Sequence, residues 1–191
     1  MPDESGMRVI AGTCKGHHLQ APRGLWTRPT SDRTRTILFD LLAGKVSGAV
    51  GLDLFAGSGA LGIEALSRGA AQVDFVEKSR RVAEFIQRNL SHTHLEDHGR
   101  VIVADAFAFL NRAGAAEGSP RYDLVFADPP YNMGYSVRLL EELSHSRILN
   151  PGAVVVIEET VRVELMPLRG RLRCILRRVV GDTALHLYEV S

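Results

Sequence analysis

A strand, a glycine turn and the start of a helix follow one another in residues 52–62, and this order constrains the fold more than any other feature. The segment reads Leu-Asp-Leu-Phe-Ala-Gly-Ser-Gly-Ala-Leu-Gly. Apolar residues 49–55 predict a buried strand, and residues 59–68 have the apolar spacing of a helix. Gly57 and Gly59 allow the backbone to turn sharply and to approach a ligand. The segment therefore predicts one unit of an α/β sheet, with a binding site at its carboxyl end.

The same alternation continues along the chain. Further strands are predicted at residues 72–76, 101–104, 124–127 and 153–158, with helices that begin after Thr30 or Ser31 and after Ser79, and others at 106–110 and 135–143. Residues 173–180 and 184–190 predict a closing hairpin, which would add an antiparallel strand at one edge. Residues 112–121 are rich in Gly, Ala, Ser and Pro and predict a surface loop. We therefore predict an α/β fold, with a mostly parallel sheet and helices on both faces.

Basic residues are concentrated near the two ends of the chain. The net charge is only +1, but residues 8–35 hold six Lys or Arg and one acid, and residues 162–178 hold six Arg and one acid. Such clusters indicate a local anionic partner. The second cluster would equally suit a solvated sheet edge that resists aggregation.

The chain length of 191 residues suits one α/β domain with a small appendage. Residues 8–10 and 19–21 predict a short basic hairpin, which makes residues 1–30 an N-terminal extension and residues 31–191 the main domain.

The chain has two cysteines, no apolar signal segment and no apolar run long enough to cross a bilayer. We therefore expect a cytoplasmic monomer that binds neither a metal nor a membrane. A cluster at His92, His94, Asp97 and His98 matches no common zinc spacing and is typical of a solvated helix end.

The glycine spacing in residues 57–62, Gly-x-Gly-x-x-Gly, fits a nucleotide-type cofactor and leaves nicotinamide and S-adenosylmethionine (SAM) cofactors open. A tight turn without a ligand is the alternative to both. Asp53 favours SAM, because a carboxylate there would repel a pyrophosphate and attract the ammonium of a methionine group. Glu77 ends the next strand, where an acid suits ribose hydroxyls. Asp105 follows the third strand and could accept a hydrogen bond from an adenine amine, cap a helix, or do both.

Residues 128–131, Asp-Pro-Pro-Tyr, follow a predicted strand and point to a chemical step. The two prolines remove two N–H donors, so the segment presents hydrogen-bond acceptors. Asp128 and the Pro129 carbonyl could each accept one hydrogen from the amine of a nucleic-acid base, which exposes the nitrogen lone pair to the methyl of SAM. Tyr131 could stack on a base that has left its helix. A Pro-Pro turn with a capping Asp is the alternative.

These segments resemble class I SAM-dependent methyltransferases that act on amines, and more closely the RsmD-type small-subunit rRNA guanine-N2 methyltransferases of bacteria. The similarity covers nearly the whole chain, and residues 28–39 are its more family-specific part. It implies a Rossmann-like, seven-stranded sheet with an antiparallel last strand, SAM as cofactor, and ribosomal RNA or the small ribosomal subunit as partner. The implied SAM contacts are Asp53, Phe55, Ala56, Gly57, Ser58, Gly59, Glu77, Lys78, Asp105 and Ala106. The implied catalytic residues are Asp128, Pro129, Pro130 and Tyr131. The residues implied to lie beside the cofactor or at the RNA entrance are Arg28, Thr30, Arg33 and Arg35.

The chain departs from the family pattern at a few positions. Thr36 stands where members usually have an acid, Ala11 replaces the first residue of the usual Gly-Gly pair, and His17 occupies a basic position. The predicted function is methyl transfer from SAM to guanine N2 in 16S rRNA. An adenine-N6 DNA methyltransferase, a nicotinamide-dependent oxidoreductase and a non-catalytic RNA-binding module are the alternatives. A DNA enzyme usually needs a target-recognition domain, for which this chain has no segment long enough.

Overall fold

Helices and strands alternate along most of the chain, as their apolar spacing predicts. A computed structural model describes residues 6–21, 31–116, 118–131 and 133–191. In chain order the elements are α1 (Asp32–Leu41), β1 (Val50–Leu54), α2 (Ala60–Ser67), β2 (Gln72–Glu77), α3 (Arg80–His92), β3 (Gly99–Val103), α4 (Ala106–Ala115), β4 (Tyr122–Ala127), α5 (Tyr135–His145), β5 (Leu149–Thr160), β6 (Leu168–Arg169), β7 (Leu172–Val180) and β8 (Thr183–Val190).

The strands form one eight-stranded sheet in the order β3-β2-β1-β4-β5-β8-β7-β6. β1 to β5 run parallel, and β8 is antiparallel to β5. The family resemblance implied seven strands. The additional one is β6, a two-residue strand paired with β7, which is too short to show a sequence pattern. The expected antiparallel strand is present, but β8 lies inside the sheet and not at its edge, because β7 pairs with its outer side.

Helices cover both faces of the sheet. On one face, α1, α2 and α3 pack through residues that include Phe39, Ile63 and Ile86. On the other face, α4 and α5 pack through residues that include Phe107 and Leu139. The central strands are buried on both sides, which is why their sequences are apolar at nearly every position. This layered arrangement confirms the predicted α/β architecture.

In residues 6–21, the described part of the N-terminal hairpin, one β-bridge between Arg8 and His18 takes the place of two strands. It packs directly on α2. The backbone N–H groups of Ile10 and Ala11 donate to the carboxylate of Glu64 at 2.7 and 3.0 Å. Glu64 is fully buried, so this contact fixes the hairpin on the sheet domain.

Gly12 is the residue that allows this close packing. Its φ is +83°, and an added Cβ would lie 1.8 Å from the carbonyl oxygen of Ser67 at the end of α2. Cys14 completes the contact, because its backbone N–H donates to the Ser67 hydroxyl at 3.0 Å. Any side chain at position 12 would therefore push the hairpin away from α2.

Polar side chains begin three helices where the sequence predicts. Ser31, Ser79 and Asp105 are the N-caps of α1, α3 and α4, and each side chain accepts a hydrogen bond from a backbone N–H of its helix. The end of α4 differs from the prediction, because the helix continues to Ala115 into the segment expected to be a loop. Ala113 packs against the core there, so tertiary contact outweighs the loop-like composition.

Candidate active site

The carboxyl ends of β1 to β4 meet at one edge of the sheet, where the structure has a cavity of about 980 Å³. A volume of this order holds a nucleoside-sized ligand. Among the predicted site residues, the cavity is lined by Asp53, Phe55, Ala56, Gly57, Ser58, Glu77, Lys78, Asp105, Ala106, Asp128, Pro129, Pro130 and Tyr131. The fold therefore brings the glycine turn and the Asp-Pro-Pro-Tyr loop to one place.

The turn after β1 uses left-handed backbone angles. Phe55, Gly57 and Gly59 have φ of 59°, 56° and 80°. The N–H of Gly59 donates to the Ala56 carbonyl at 2.7 Å, which closes the turn, and Gly59 is the N-cap of α2. An added Cβ on Gly59 would lie 3.0 Å from Ile86 in the core, and Gly59 is not among the described lining residues. Gly59 therefore fixes the shape of the turn on the side that faces the core, without lining the cavity.

Asp53 lies at the base of the cavity and is 2% exposed. Its Oδ2 accepts a hydrogen bond from the Gly62 N–H at 3.0 Å. Burial raises the pKa of Asp53 from 3.8 to about 8, the Gly62 N–H opposes that rise, and the charge of Glu77 adds to it. A cationic group bound beside Asp53 would favour its ionised form.

Two further acids lie at or just after the ends of the neighbouring strands. Glu77 supports the glycine turn, because its Oε2 accepts from the Gly57 N–H at 3.1 Å and its Oε1 from the Ser79 N–H at 2.8 Å. Asp105 caps α4 through Oδ1, while its Oδ2 lies 3.7 Å from Nζ of Lys78. The predicted helix cap is therefore confirmed, and both Asp105 and Lys78 line the cavity.

The Asp-Pro-Pro-Tyr loop leaves the end of β4. Asp128 is half-buried, Pro129 is buried and Pro130 is exposed. The phenol of Tyr131 donates a hydrogen bond to Oε1 of Glu158 at 3.1 Å. Burial raises the pKa of this phenol well above its ordinary value, and the negative charges of Glu158 and Asp128 raise it further. Tyr131 is therefore a neutral donor at any physiological pH.

Arg35 does not have the expected position at the cofactor or RNA entrance. Its side chain is fully buried, and Nη2 donates to Oδ1 of Asp32 and to the Arg8 carbonyl, each at 2.7 Å. It therefore links α1 to the N-terminal hairpin, and we replace the expected substrate contact with this structural role. Thr36, the departure from the family pattern, donates to the Asp32 carbonyl at 2.8 Å. Asp32 supplies the acid that pairs with Arg35.

Of the other predicted substrate residues, the structure describes Arg33 alone. Arg33 is exposed on α1 and is not among the described residues that line the cavity. Arg28 and Thr30 lie outside the described residues. Their contact with substrate remains a prediction.

Phe55, an expected cofactor contact, belongs to an aromatic wall beside the cavity whose other members were not predicted. The rings of Phe55 and Tyr135 stack with centroids 5.9 Å apart, and Phe107 contacts both edge to face. The guanidinium of Arg138 lies 3.8 Å from the Phe107 ring centroid. Sequence patterns place these residues on three different elements, so only the folded chain reveals that they meet. The wall gives one side of the cavity an apolar surface.

Among the described residues, no helix has the length and apolar character of a bilayer span. In the same part of the chain, no three His, Cys, Asp or Glu side chains are grouped as a metal site would require.

Comparisons with known proteins identify the family. Residues 7–189 match the family model described as conserved hypothetical protein 95. The chain is 36% identical over 191 residues to ribosomal RNA small subunit methyltransferase D of Escherichia coli (strain K12), covering 98% of this chain and 93% of that relative. It is 34% identical over 159 residues to the Haemophilus influenzae protein of the same name, covering 82% and 81%. The solved structure of yhhF from Escherichia coli has a TM-score of 0.84 and 36% identity, covering 97% of this chain and 98% of that one. This chain therefore belongs to the conserved hypothetical protein 95 family, the RsmD family of methyltransferases.

Proposed function

We propose that this protein transfers a methyl group from SAM to the exocyclic N2 amine of a guanine in small-subunit (16S) ribosomal RNA. The observation that carries the proposal is the position of the glycine turn and the Asp-Pro-Pro-Tyr loop on one cavity. The glycine turn suits a methionine-type cofactor, and the Asp-Pro-Pro-Tyr loop suits an amine nucleophile. The name of the full-length Escherichia coli relative supports ribosomal RNA as the substrate.

We assign the cofactor to the ends of β1, β2 and β3. The carboxyl of Asp53, buried beside the glycine turn, would pair with the ammonium of the methionine moiety. Glu77 holds the Gly57 N–H and would accept from the ribose hydroxyls. Oδ2 of Asp105 would accept from the adenine amine. The stacked Phe55 and Tyr135 rings offer an apolar surface beside these polar groups.

The chain's own residues would prepare the amine for attack. The amine of a base is planar, and its lone pair is delocalised into the ring. If Asp128 and the Pro129 carbonyl each accept one N–H, the nitrogen can become tetrahedral and direct its lone pair at the methyl group. The sulfonium of SAM provides a neutral leaving group, so positioning and electrostatics account for most of the catalysis. Asp128 or water would then accept the proton that the methylated nitrogen releases.

Exposed arginines on the same edge of the sheet are suited to the phosphates of an RNA substrate. Arg178 of β7 pairs with Leu185 of β8, which in turn pairs with Glu158 of β5. Two strand spacings, roughly 10 Å, therefore separate Arg178 from Glu158, the residue that accepts the hydrogen bond of Tyr131. Arg33 is also exposed, at the first turn of α1. We propose that the protein acts in the cytoplasm as a monomer, with the small ribosomal subunit or its RNA as partner.

Transfer of tritiated methyl groups from SAM tests the proposal. The substrates are small ribosomal subunits, naked rRNA and DNA, each followed by nucleoside analysis. We expect label in N2-methylguanosine from small-subunit rRNA. Label in N6-methyladenine of DNA, or SAM binding without transfer to any RNA, would contradict the assignment. Melting temperatures with SAM and with NAD distinguish the methyltransferase from an oxidoreductase, because only the true cofactor stabilises the fold.

A further inference from the structure

The catalytic loop is attached to the end of β5 at two points. The phenol of Tyr131 donates to Glu158 at 3.1 Å, and the hydroxyl of Ser136 donates to Oε2 of Glu159 at 2.6 Å. Ser136 lies in the first turn of α5, just after the loop. Two consecutive glutamates therefore hold the two ends of one loop.

The two attachments lie on opposite faces of the sheet. Side chains alternate along a strand, and Val156 packs with the core under α1 to α3 whereas Ile157 packs with the core under α4 and α5. Glu158 therefore shares the first face and Glu159 the second. The loop straddles the end of β5, with Tyr131 held on one side and Ser136 on the other.

Both glutamates are buried, 4% and 2% exposed, and neither is among the described residues that line the cavity. Burying a carboxylate costs free energy unless hydrogen bonds compensate for its lost hydration. Glu159 is compensated by Ser136 and by the Thr160 N–H, which donates to Oε1 at 2.7 Å. These hydrogen bonds hold the Glu159 side chain in one position beside the loop.

We propose that Glu158 and Glu159 are positioning residues for the methyl transfer: Glu158 fixes the ring of Tyr131 for stacking on the target base, and Glu159 fixes the far end of the loop. This inference rests on the proposed function. Between the anchors, Gly134 has φ of 69°, a left-handed angle that glycine adopts without steric cost. The effect matters because a displacement of about 1 Å at a reacting group can lower a rate about a hundredfold.

The Tyr131 contact is tested by a double-mutant cycle with Y131F and E158A. Phe keeps the ring and removes only the hydroxyl, so each single variant should lower kcat by about tenfold, the effect of a lost hydrogen bond to a charged group. The effect of the double variant should be smaller than the two single effects combined, because both changes remove the same contact. SAM affinity should be unchanged in all three. Y188F is the matched control, since the Tyr188 phenol donates to the Met166 carbonyl and kcat should not change.

The Ser136 contact is tested by S136A, with S144A as its matched control. Both serines are buried on α5, but the Ser144 hydroxyl donates to the Glu141 carbonyl of its own helix. S136A should lower kcat, and S144A should not.

Hydrogen exchange of residues 128–136 without substrate gives a second readout. Exchange there should accelerate in Y131F and S136A but not in Y188F or S144A. Additive effects in the cycle, or unchanged kcat and exchange in Y131F and S136A, would overturn the inference. If the wild type methylates no RNA, the proposed function fails, whereas the exchange pattern still tests the anchors.

Discussion

At the scale of single residues, burial changes the pKa of Asp53 at the base of the cavity. Burial raises its pKa to about 8 from 3.8, so the carboxyl is largely protonated at neutral pH without a cation beside it. The folded-state pKa lies above the unfolded value. The contribution of Asp53 to stability is therefore complete below about pH 4 and is lost as the pH rises through about 8.

The variant D53N tests this linkage, because Asn cannot ionise but can still accept from the Gly62 N–H. Without SAM, the melting temperature of the wild type should fall relative to D53N as the pH rises from 5 to 9. D40N, which changes an exposed acid on α1, should follow the wild type. Parallel curves for the wild type and D53N would mean that Asp53 is already ionised at pH 5.

SAM binding should change the protonation of the same carboxyl. The ammonium of SAM favours the ionised form of Asp53, so binding at pH 7 should release about one proton in the wild type and none in D53N. Calorimetric titration in buffers with different ionisation enthalpies measures this number. Equal proton release in the two proteins would place the ammonium elsewhere.

At the scale of elements, Glu64 connects the N-terminal hairpin to α2. Its buried carboxylate accepts from Ile10, Ala11 and the Nε of Arg68. E64A leaves these donors without a partner and should lower the free energy of unfolding by about 3 kcal/mol. The control E84A removes an exposed pair with Arg88 on α3 and should change it by less than about 0.5 kcal/mol. Chemical denaturation measures both. Similar values for the two variants would mean that the hairpin contributes little to the fold.

Elements and their order follow from the sequence more readily than the contacts of buried polar groups. The strand, glycine turn and helix of residues 52–62 were predicted because apolar spacing and glycine are local signals. The burial of Arg35 was not predicted, because a charged residue is ordinarily exposed and its partner Arg8 carbonyl is distant in sequence. Glu158 and Glu159 were likewise missed, since their partners belong to other elements.

At the scale of the whole molecule, the sheet brings the proposed cofactor residues and the proposed substrate residues to one edge. β1, β2 and β3 contribute Asp53, Glu77 and Asp105, whereas β4 and β5 position the loop that begins at Asp128. Neighbouring parallel strands end at the same edge, which explains how residues as far apart in sequence as Asp53 and Asp128 reach one cavity. A mutation on one side of the cavity should therefore impair methyl transfer without impairing SAM binding.

The variant D128A tests this separation most directly, by SAM affinity and methyl transfer to small-subunit rRNA measured on the same preparation. Removal of one acceptor from the amine should lower kcat by about a hundredfold or more, as for loss of an oxyanion-hole donor. The dissociation constant for SAM should stay close to the wild-type value. Transfer at the wild-type rate, or loss of SAM binding together with activity, would contradict the account.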